Sequence, residues 1–549
     1  MARTARRSLR VALLQLRAFS IEDAEASLQH TLRRIDETAR ERPDIIVLPE
    51  VTYPAYFLGR TDGSLPPGVR PSADVVEIFA AKAREHSVYI AAGLALERKG
   101  ALRNAAALFA RDGALLGAYE KSFLWHFDGR WFAPGDAYPV FETGVARVGM
   151  LVCADGRMPE IARALTLNGA QIILDLTAWV STGRRAEDLT SVQCEYLMPV
   201  RAAENGVWVA AASKFGVEAG SIVYCGRSCV IDPRGRVVAS LGPDDDAALV
   251  YDVPVEDASP PITRRPEMYD ALTRPTGTLP VLPTLDEPLI PAHEEKRVAV
   301  VQMAMPPDGA AFAAAARRHV ERLALQDADI VLFPATPSRV RHAYPQDATL
   351  DAMLRIAADT GVHVAFVVWR PDGDGERMMY LAGPHGVVAA HAQSHKPPGE
   401  RFASMPLGEY PAPVVDTPVG RAGMMLAAEG FVPEVARSLM LRGAEVLLWA
   451  GDNPALPMTP VARARADENR VFVACAAAPA ETGASLIAAP DGRVLATALE
   501  GRELAVSATV NRALSRLKAM APGTDVVRDR QPATYGALVR AGAAAGRVL

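Results

Sequence analysis

Three residues of this chain could do covalent chemistry together. Glu50 ends the apolar run IIVLP, Lys121 follows LLGAYE, and Cys153 ends GMLVC. A thiol becomes a strong nucleophile once its proton is taken, and a carboxylate is a suitable acceptor for that proton. An ammonium group can hold the oxyanion that forms when the thiol adds to a carbonyl. Each of the three stands where an apolar segment ends, and open α/β sheets gather ligands at the ends of their strands. Taken singly, each has an ordinary alternative: a solvated loop acid, a surface lysine, and a buried inert thiol.

An internal duplication weighs against those alternatives. ARVGMLVCADGRMPEIARALTLNGAQIIL, from Ala146 to Leu174, is answered by GRAGMMLAAEGFVPEVARSLMLRGAEVLL, from Gly420 to Leu448. Cys153 faces Ala427 in that match, and Glu50 in IIVLPEVTY faces Ala335 in IVLFPATPS. A nucleophile and a carboxylate are missing together from an otherwise matching frame. Lys121 has a candidate counterpart in Lys396, within SHKPPGE. Asp128 and Glu400 each stand six residues before a proline, so an acid with a structural or lysine-orienting role is expected at this point of both copies.

The elements that must position these residues alternate between short apolar runs and helical patterns. Val11–Leu16, Ile45–Leu48, Val88–Ala95, Asn104–Ala110 and Ala114–Glu120 are predicted strands, the last two joined by the turn Arg111-Asp112-Gly113. Ile21–Arg40, Asp74–His86 and Met158–Asn168 are predicted helices, the third stopped by Gly169. This alternation implies an α/β protein with helices covering sheets. The matches run on through RAAENGVWVAAASK and RARADENRVFVACAA to the tails RRPEMYDAL and RQPATYGAL. They place one domain at 8–275 and a second at 296–541. The intervening 276–295 holds four prolines and is expected to be a semi-rigid, extended linker.

Composition excludes several classes. A net charge of −5 implies no polyanion-binding surface, and no basic-aromatic groove suggests nucleic acid. No phosphate-binding glycine motif is present, so no nucleotide cofactor is expected. No apolar run approaches the ~18 residues of a membrane span. The basic start MARTARRSLR precedes VALLQL, too short for a signal core and matched by VAVVQM at 298–303, so it is assigned to the first strand of the repeat. Five cysteines, with CGRSC (Cys225, Cys229) lacking a second ligand pair, fit a reducing cytoplasm and no metal site.

With these motifs in place, LPE, EK and CADGRMPE resemble the Glu, Lys and Cys motifs of the nitrilase superfamily of carbon–nitrogen hydrolases, across both repeats. The resemblance implies two tandem four-layer α-β-β-α sandwich domains and no cofactor. It implies Glu50 as general base and then acid, Lys121 as oxyanion stabiliser with the Ala154 N–H, and Cys153 as nucleophile. Asp128 falls where the family commonly has glutamate, one methylene longer, so some loss of reach or a shifted backbone is expected. Ala154-Asp155 after the cysteine, where nitrilases proper commonly have Trp-Glu, looks more like the amidase and carbamoylase branches.

In the carbamoylase branch His126 precedes the acid by two, and Arg157 stands where a substrate carboxylate is held; Phe431 is its counterpart. A guanidinium suits a carboxylate, although a helix-start surface arginine and a packing histidine are the plain alternatives. The expected substrate is a small amide or N-carbamoyl compound, with nitrile hydrolysis or acyl transfer as the enzymatic alternative. The second domain is expected to be inactive and to stand in for a partner subunit in an intramolecular pseudo-dimer, possibly within a larger homo-oligomer. Its alternative is ligand binding through Lys396 and Glu400.

Overall fold

In the strand Lys296–Gln302, Val298 and Val300 enter one buried cluster while Ala299 and Val301 enter another. Side chains alternate across a strand, so a strand apolar at every position must be covered on both faces. That requirement generates the layers seen in the computed structural model. The structure describes residues 8–60, 64–181, 183–285, 295–336, 344, 346–370, 375–397, 407–451, 457–479 and 485–540.

In the second repeat one sheet contains Lys296–Gln302, Ile330–Leu332, His363–Trp369 and Arg377–Gly383, and the other contains Gly420–Leu426, Val446–Ala450 and Phe472–Ala476. Val300, Leu332 and Met379 of the first meet Met424, Leu448 and Ala474 of the second in a single core. The outer face of the first sheet packs Phe312 and Val320 of helix Gly309–Ala324 and Met353 and Ile356 of helix Gln346–Thr360. Helices Pro433–Leu441 and Met458–Asn469 lie on the second sheet. The order is α-β-β-α.

The first repeat uses β1 (Ser8–Arg17), β2 (Ile45–Val47), β3 (Tyr89–Arg98), β4 (Ala101–Phe109), β5 (Leu115–Glu120), β6 (Val140–Glu142), β7 (Arg147–Val152), β8 (Ile172–Thr177) and β9 (Trp208–Glu218). Their spatial order is β5-β4-β3-β2-β1-β9-β8-β7-β6. β1 and β9 pair only at Leu16–Lys214 and Arg17–Phe215, which joins the two halves. Helices α1 (Ala24–Ala39) and α2 (Ser72–His86) cover one half, and α3 (Pro159–Leu167) and α4 (Met198–Asn205) cover the other. Glu50, Lys121 and Cys153 follow β2, β5 and β7.

The chain divides into two compact units. One is Met1–Pro260 with Ala521–Thr524 and Asp529–Leu549; the other is Pro261–Met520 with Asp525–Arg528. Residues 261–275, which the repeat boundaries give to the first domain, therefore group with the second unit. The expected extended linker is also corrected over its first half. Thr276–Thr278 and Leu282–Leu285 form helical turns, and Leu279 and Val281 are buried, because two apolar side chains among prolines gain more from packing than from extension. Residues 286–294 lie outside the described residues.

Gly93 of β3 passes against the segment that carries Glu50. A Cβ there would stand 2.1 Å from the Pro49 carbonyl oxygen and 2.8 Å from the Glu50 Cα. Both are backbone atoms that cannot swing aside. Gly93→Ala should therefore destabilise the protein by ~1–3 kcal/mol, the usual cost of overpacking, in equilibrium urea unfolding. An unchanged midpoint would show that this approach can relax.

Candidate active site

The Lys121 ammonium lies between two carboxylates. Its Nζ is 2.7 Å from Glu50 Oε1 and 2.7 Å from Asp128 Oδ2, and all three side chains are sealed from solvent. Asn104 of β4 donates to the same Glu50 oxygen at 2.7 Å. The Tyr56 hydroxyl faces Asp128, and its ring lies 5.8 Å below the Lys121 nitrogen. Burial opposes the Lys121 charge, but Asp128 and Glu50 outweigh it and hold the pKa well above the ordinary lysine value. The shorter Asp128 loses no reach. The chain brings it inward on the turn His126–Arg130, entered through His126 at φ +54° and closed by Trp125 N–H donating to Asp128 Oδ2 at 3.0 Å.

Cys153 sits at a sharp strand-to-helix bend. Val152 is extended and Cys153 takes φ +48°, a left-handed conformation that costs a β-carbon residue roughly 1–2 kcal/mol. Buried groups enforce the bend. Asp155 accepts from Val152 N–H at 3.0 Å, from Ser122 N–H at 3.2 Å, from Phe123 N–H at 2.8 Å and from the Tyr119 hydroxyl at 2.8 Å. One carboxylate thus ties the bend to the segment that carries Lys121, even though burial pushes its pKa up to about 6. The Arg201 guanidinium, fully buried, donates to the Gly156 carbonyl at 3.0 Å. The Cys153 N–H is taken by Asp175 at 3.0 Å. Ala154 follows at the start of a short helical turn, where N–H groups have no acceptor within the turn.

The segment after Glu50 is strained in the same way, with Val51 at φ +35°. Lys214 of β9 donates to the Val51 carbonyl at 3.0 Å and pairs with Glu218 at 3.3 Å, and Glu218 accepts from Phe57 N–H at 2.6 Å and Tyr224 hydroxyl at 3.1 Å. The loop from Ser122 to His126 is held by residues at the end of the second repeat that belong to the first unit. Gln531 donates to the Ser122 carbonyl at 3.0 Å. The Thr524 hydroxyl accepts from His126 N–H at 2.7 Å and donates to the Leu124 carbonyl at 3.3 Å.

The second unit keeps this frame without its reactive groups. Ala427 retains φ +54°, Glu429 accepts from Leu426 N–H at 2.7 Å and Ser394 N–H at 2.6 Å, and Arg465 donates to the Gly430 carbonyl at 3.0 Å. The backbone register corrects the expected counterpart of Lys121. Gly135 N–H bonds the Lys121 carbonyl in the first unit and Gly408 N–H bonds the Gln393 carbonyl in the second, so Gln393, and not Lys396, takes the lysine position. Lys396 lies three residues further on, past the strand end. Trp449 stands where the first unit has Asp175, and its indole donates to the Ala427 carbonyl at 2.9 Å. Arg377, at the place of Asn104, donates to the Thr336 carbonyl and packs on the Trp369 ring. Glu400 lies outside the described residues.

The remaining expected residues are placed unevenly. Arg157 ends the turn that begins at Cys153, with its guanidinium 4.5 Å over the Trp125 ring. His126 is exposed, edge-on to Phe127 at 4.7 Å, so it is not a core packing residue. Cys225 and Cys229 are free, buried thiols. Sequence reasoning missed Asn104, Tyr56, Asp175 and Gln193, whose amide donates to the Cys153 carbonyl at 2.8 Å and accepts from Trp179 Nε1 at 3.3 Å.

Burial raises the Cys153 pKa, Glu50 raises it further, and Lys121 only partly offsets them. A raised thiol pKa means the protonated form dominates at every pH below it. The difference in thiolate absorbance between wild type and Cys153→Ala should therefore stay flat from about pH 6 to 9. A step in that window would show a resting thiolate.

Comparison with known proteins matches the carbon-nitrogen hydrolase family model twice, at residues 10–260 and 297–519. The chain is 30% identical over 258 residues to human omega-amidase NIT2, covering 44% of this chain and 87% of that protein. It is 26% identical over 265 residues to a probable nitrilase of Schizosaccharomyces pombe, covering 46% and 94%. Among solved structures, the NitN amidase from Neterenkonia sp. AN1 aligns with 26% identity and a TM-score of 0.40, covering 45% of this chain and 93% of that one.

Proposed function

This chain belongs to the carbon–nitrogen hydrolase family, and from that premise we propose that its first unit hydrolyses a small primary amide through a Cys153 thioester. The observation that carries the reading is the sealed Glu50–Lys121–Asp128 cluster beside a thiol held at a left-handed bend. Glu50 takes the thiol proton as Cys153 Sγ adds to the carbonyl carbon, so charge is created only when substrate is present to use it. Lys121 and the Ala154 N–H hold the oxyanion. Glu50 returns the proton to the departing nitrogen, ammonia leaves, and the thioester remains. Glu50 then deprotonates the water that cleaves it. Asp128 keeps Lys121 charged and in place throughout.

Arg157, on the same turn as the nucleophile, gives the pocket a cation for a substrate carboxylate. An amide that also carries a carboxylate fits this placement, and the human relative is named as an omega-amidase. An N-carbamoyl amino acid offers the same two groups and is the alternative; nitriles, or transfer of the acyl group to an amine, would use the same thioester.

The second repeat lacks the acid, the ammonium and the thiol, and an indole occupies the region behind its bend. We infer that it has no hydrolase activity of its own. It stands in for a partner subunit by supplying the segment that braces the Ser122–His126 loop.

Ammonia release from a panel of amides, N-carbamoyl amino acids, ureas and nitriles tests the main reading. Wild type should release ammonia and the matching carboxylic acid in equal amounts with no carbon dioxide, and Cys153→Ala and Glu50→Gln should each lose at least ~10³-fold in kcat/KM. Carbon dioxide accompanying ammonia selects the carbamoyl alternative; no release from folded wild type removes the hydrolase reading. The bracing role is tested by Gln531→Ala with Thr524→Val. Loss of about 1 kcal/mol per hydrogen bond and a fall in kcat with little change in KM are expected. Full activity in that double variant would exclude the role.

A further inference from the structure

A second half-buried thiol, Cys194, follows Gln193, whose amide contacts Cys153. Cys194 sits on the π-helical turn Gln193–Leu197, a form of backbone found mostly in short stretches at functional sites. It is half-buried, whereas Cys225 and Cys229 are buried. Its thiol faces that of Cys225, donates to the Ser191 carbonyl at 3.1 Å and lies 3.6 Å from the Thr190 hydroxyl. Together with Cys229 and Arg227 it lines an open cavity of about 190 Å³, wide enough for a small oxidant to enter. The Cys225 contact, with lesser help from Thr190, Ser191 and Arg227, lowers the Cys194 pKa below the ordinary thiol value.

Both sulfurs connect to the nucleophile. Gln193, next to Cys194, holds the Cys153 carbonyl at 2.8 Å and Trp179 Nε1 at 3.3 Å. The Cys225 N–H donates to the Trp179 carbonyl at 3.0 Å. A bond between the sulfurs would pull on both ends of the Gln193–Trp179 contact that backs the bend.

We propose that Cys194 and Cys225 form an oxidisable thiol pair in which Cys194 is attacked first by hydrogen peroxide and Cys225 resolves it, slowing the chemistry of Cys153. In the first step the Cys194 sulfur takes one peroxide oxygen, the O–O bond breaks, and the released hydroxide leaves as water. In the second, the Cys225 sulfur displaces the hydroxyl from the Cys194 sulfenic acid, and the Cys225 proton leaves with it as a second water. Two thiols lose two electrons and one peroxide becomes two waters. An accessible low-pKa thiol beside a resolving thiol is the arrangement such chemistry requires.

The test uses full-length wild type, Cys153→Ala, Cys194→Ser and Cys225→Ser. Each is treated with hydrogen peroxide, blocked, and digested without reduction. A peptide joining Cys194 to Cys225 is expected in wild type and in Cys153→Ala. Iodoacetamide labelling of Cys153 should slow roughly tenfold in oxidised wild type, recover with dithiothreitol, and keep its rate in the two serine variants. No linked peptide in folded protein, or a Cys194–Cys229 link, overturns the pairing. Equal, reversible slowing in the serine variants overturns the coupling, since oxidation of Cys153 itself would then explain it. None of these readouts uses a substrate, so they stand apart from the amide reading.

Discussion

The ammonium of Lys121, removed from water and held by two carboxylates, is the constraint on which the first unit depends. Removing one partner from a buried ion pair costs ~3–5 kcal/mol, because the remaining charge stays buried without compensation. The cluster can be kept whole or replaced whole, and intermediate states are expensive. The second repeat shows the replaced form. Alanine stands for the acid, glutamine for the lysine and alanine for the thiol, and neutral or externally paired groups fill the space.

What survives in the second repeat separates frame from chemistry. The left-handed bend persists at Ala427 although no nucleophile needs it, so the bend is set by its supports: a carboxylate capping the turn and a buried arginine on the carbonyl behind it. Asp155 and Glu429 do this work with acids of different length, and their partners differ to match, Tyr119 in one unit and His391 in the other. The same substitution logic accounts for Asp128, whose shorter side chain is matched by a left-handed residue two positions earlier.

Much of this was legible in the sequence because the duplication supplied a comparison within one chain. Strand ends, helix starts and the paired loss of Glu50 and Cys153 follow from local pattern alone. Lys396 misled because residue type was matched without register. The lysine position is set by a backbone bond from a glycine about fifteen residues further on, which no local pattern encodes. Asn104 and Tyr56 were invisible for a related reason. Each sits in an unremarkable apolar or turn segment and gains its role only when β4 and the segment after Glu50 are brought to Lys121. The tail motifs were matched to one another, but which unit each would join depends on tertiary packing.

Tertiary packing divides the two tails in a definite way. Residues 521–524 and 529–540 close the second repeat but complete the first unit, while residues 264–269 close the first repeat and complete the second. The exchange is reciprocal in detail. Gln531 holds the carbonyl of Ser122, and Arg265 holds that of Ser394, the equivalent position. Tyr535 is buried in one unit and Tyr269 in the other, where it bonds His395 at 2.7 Å. Neither repeat, cut at its own boundary, contains every residue of its own unit.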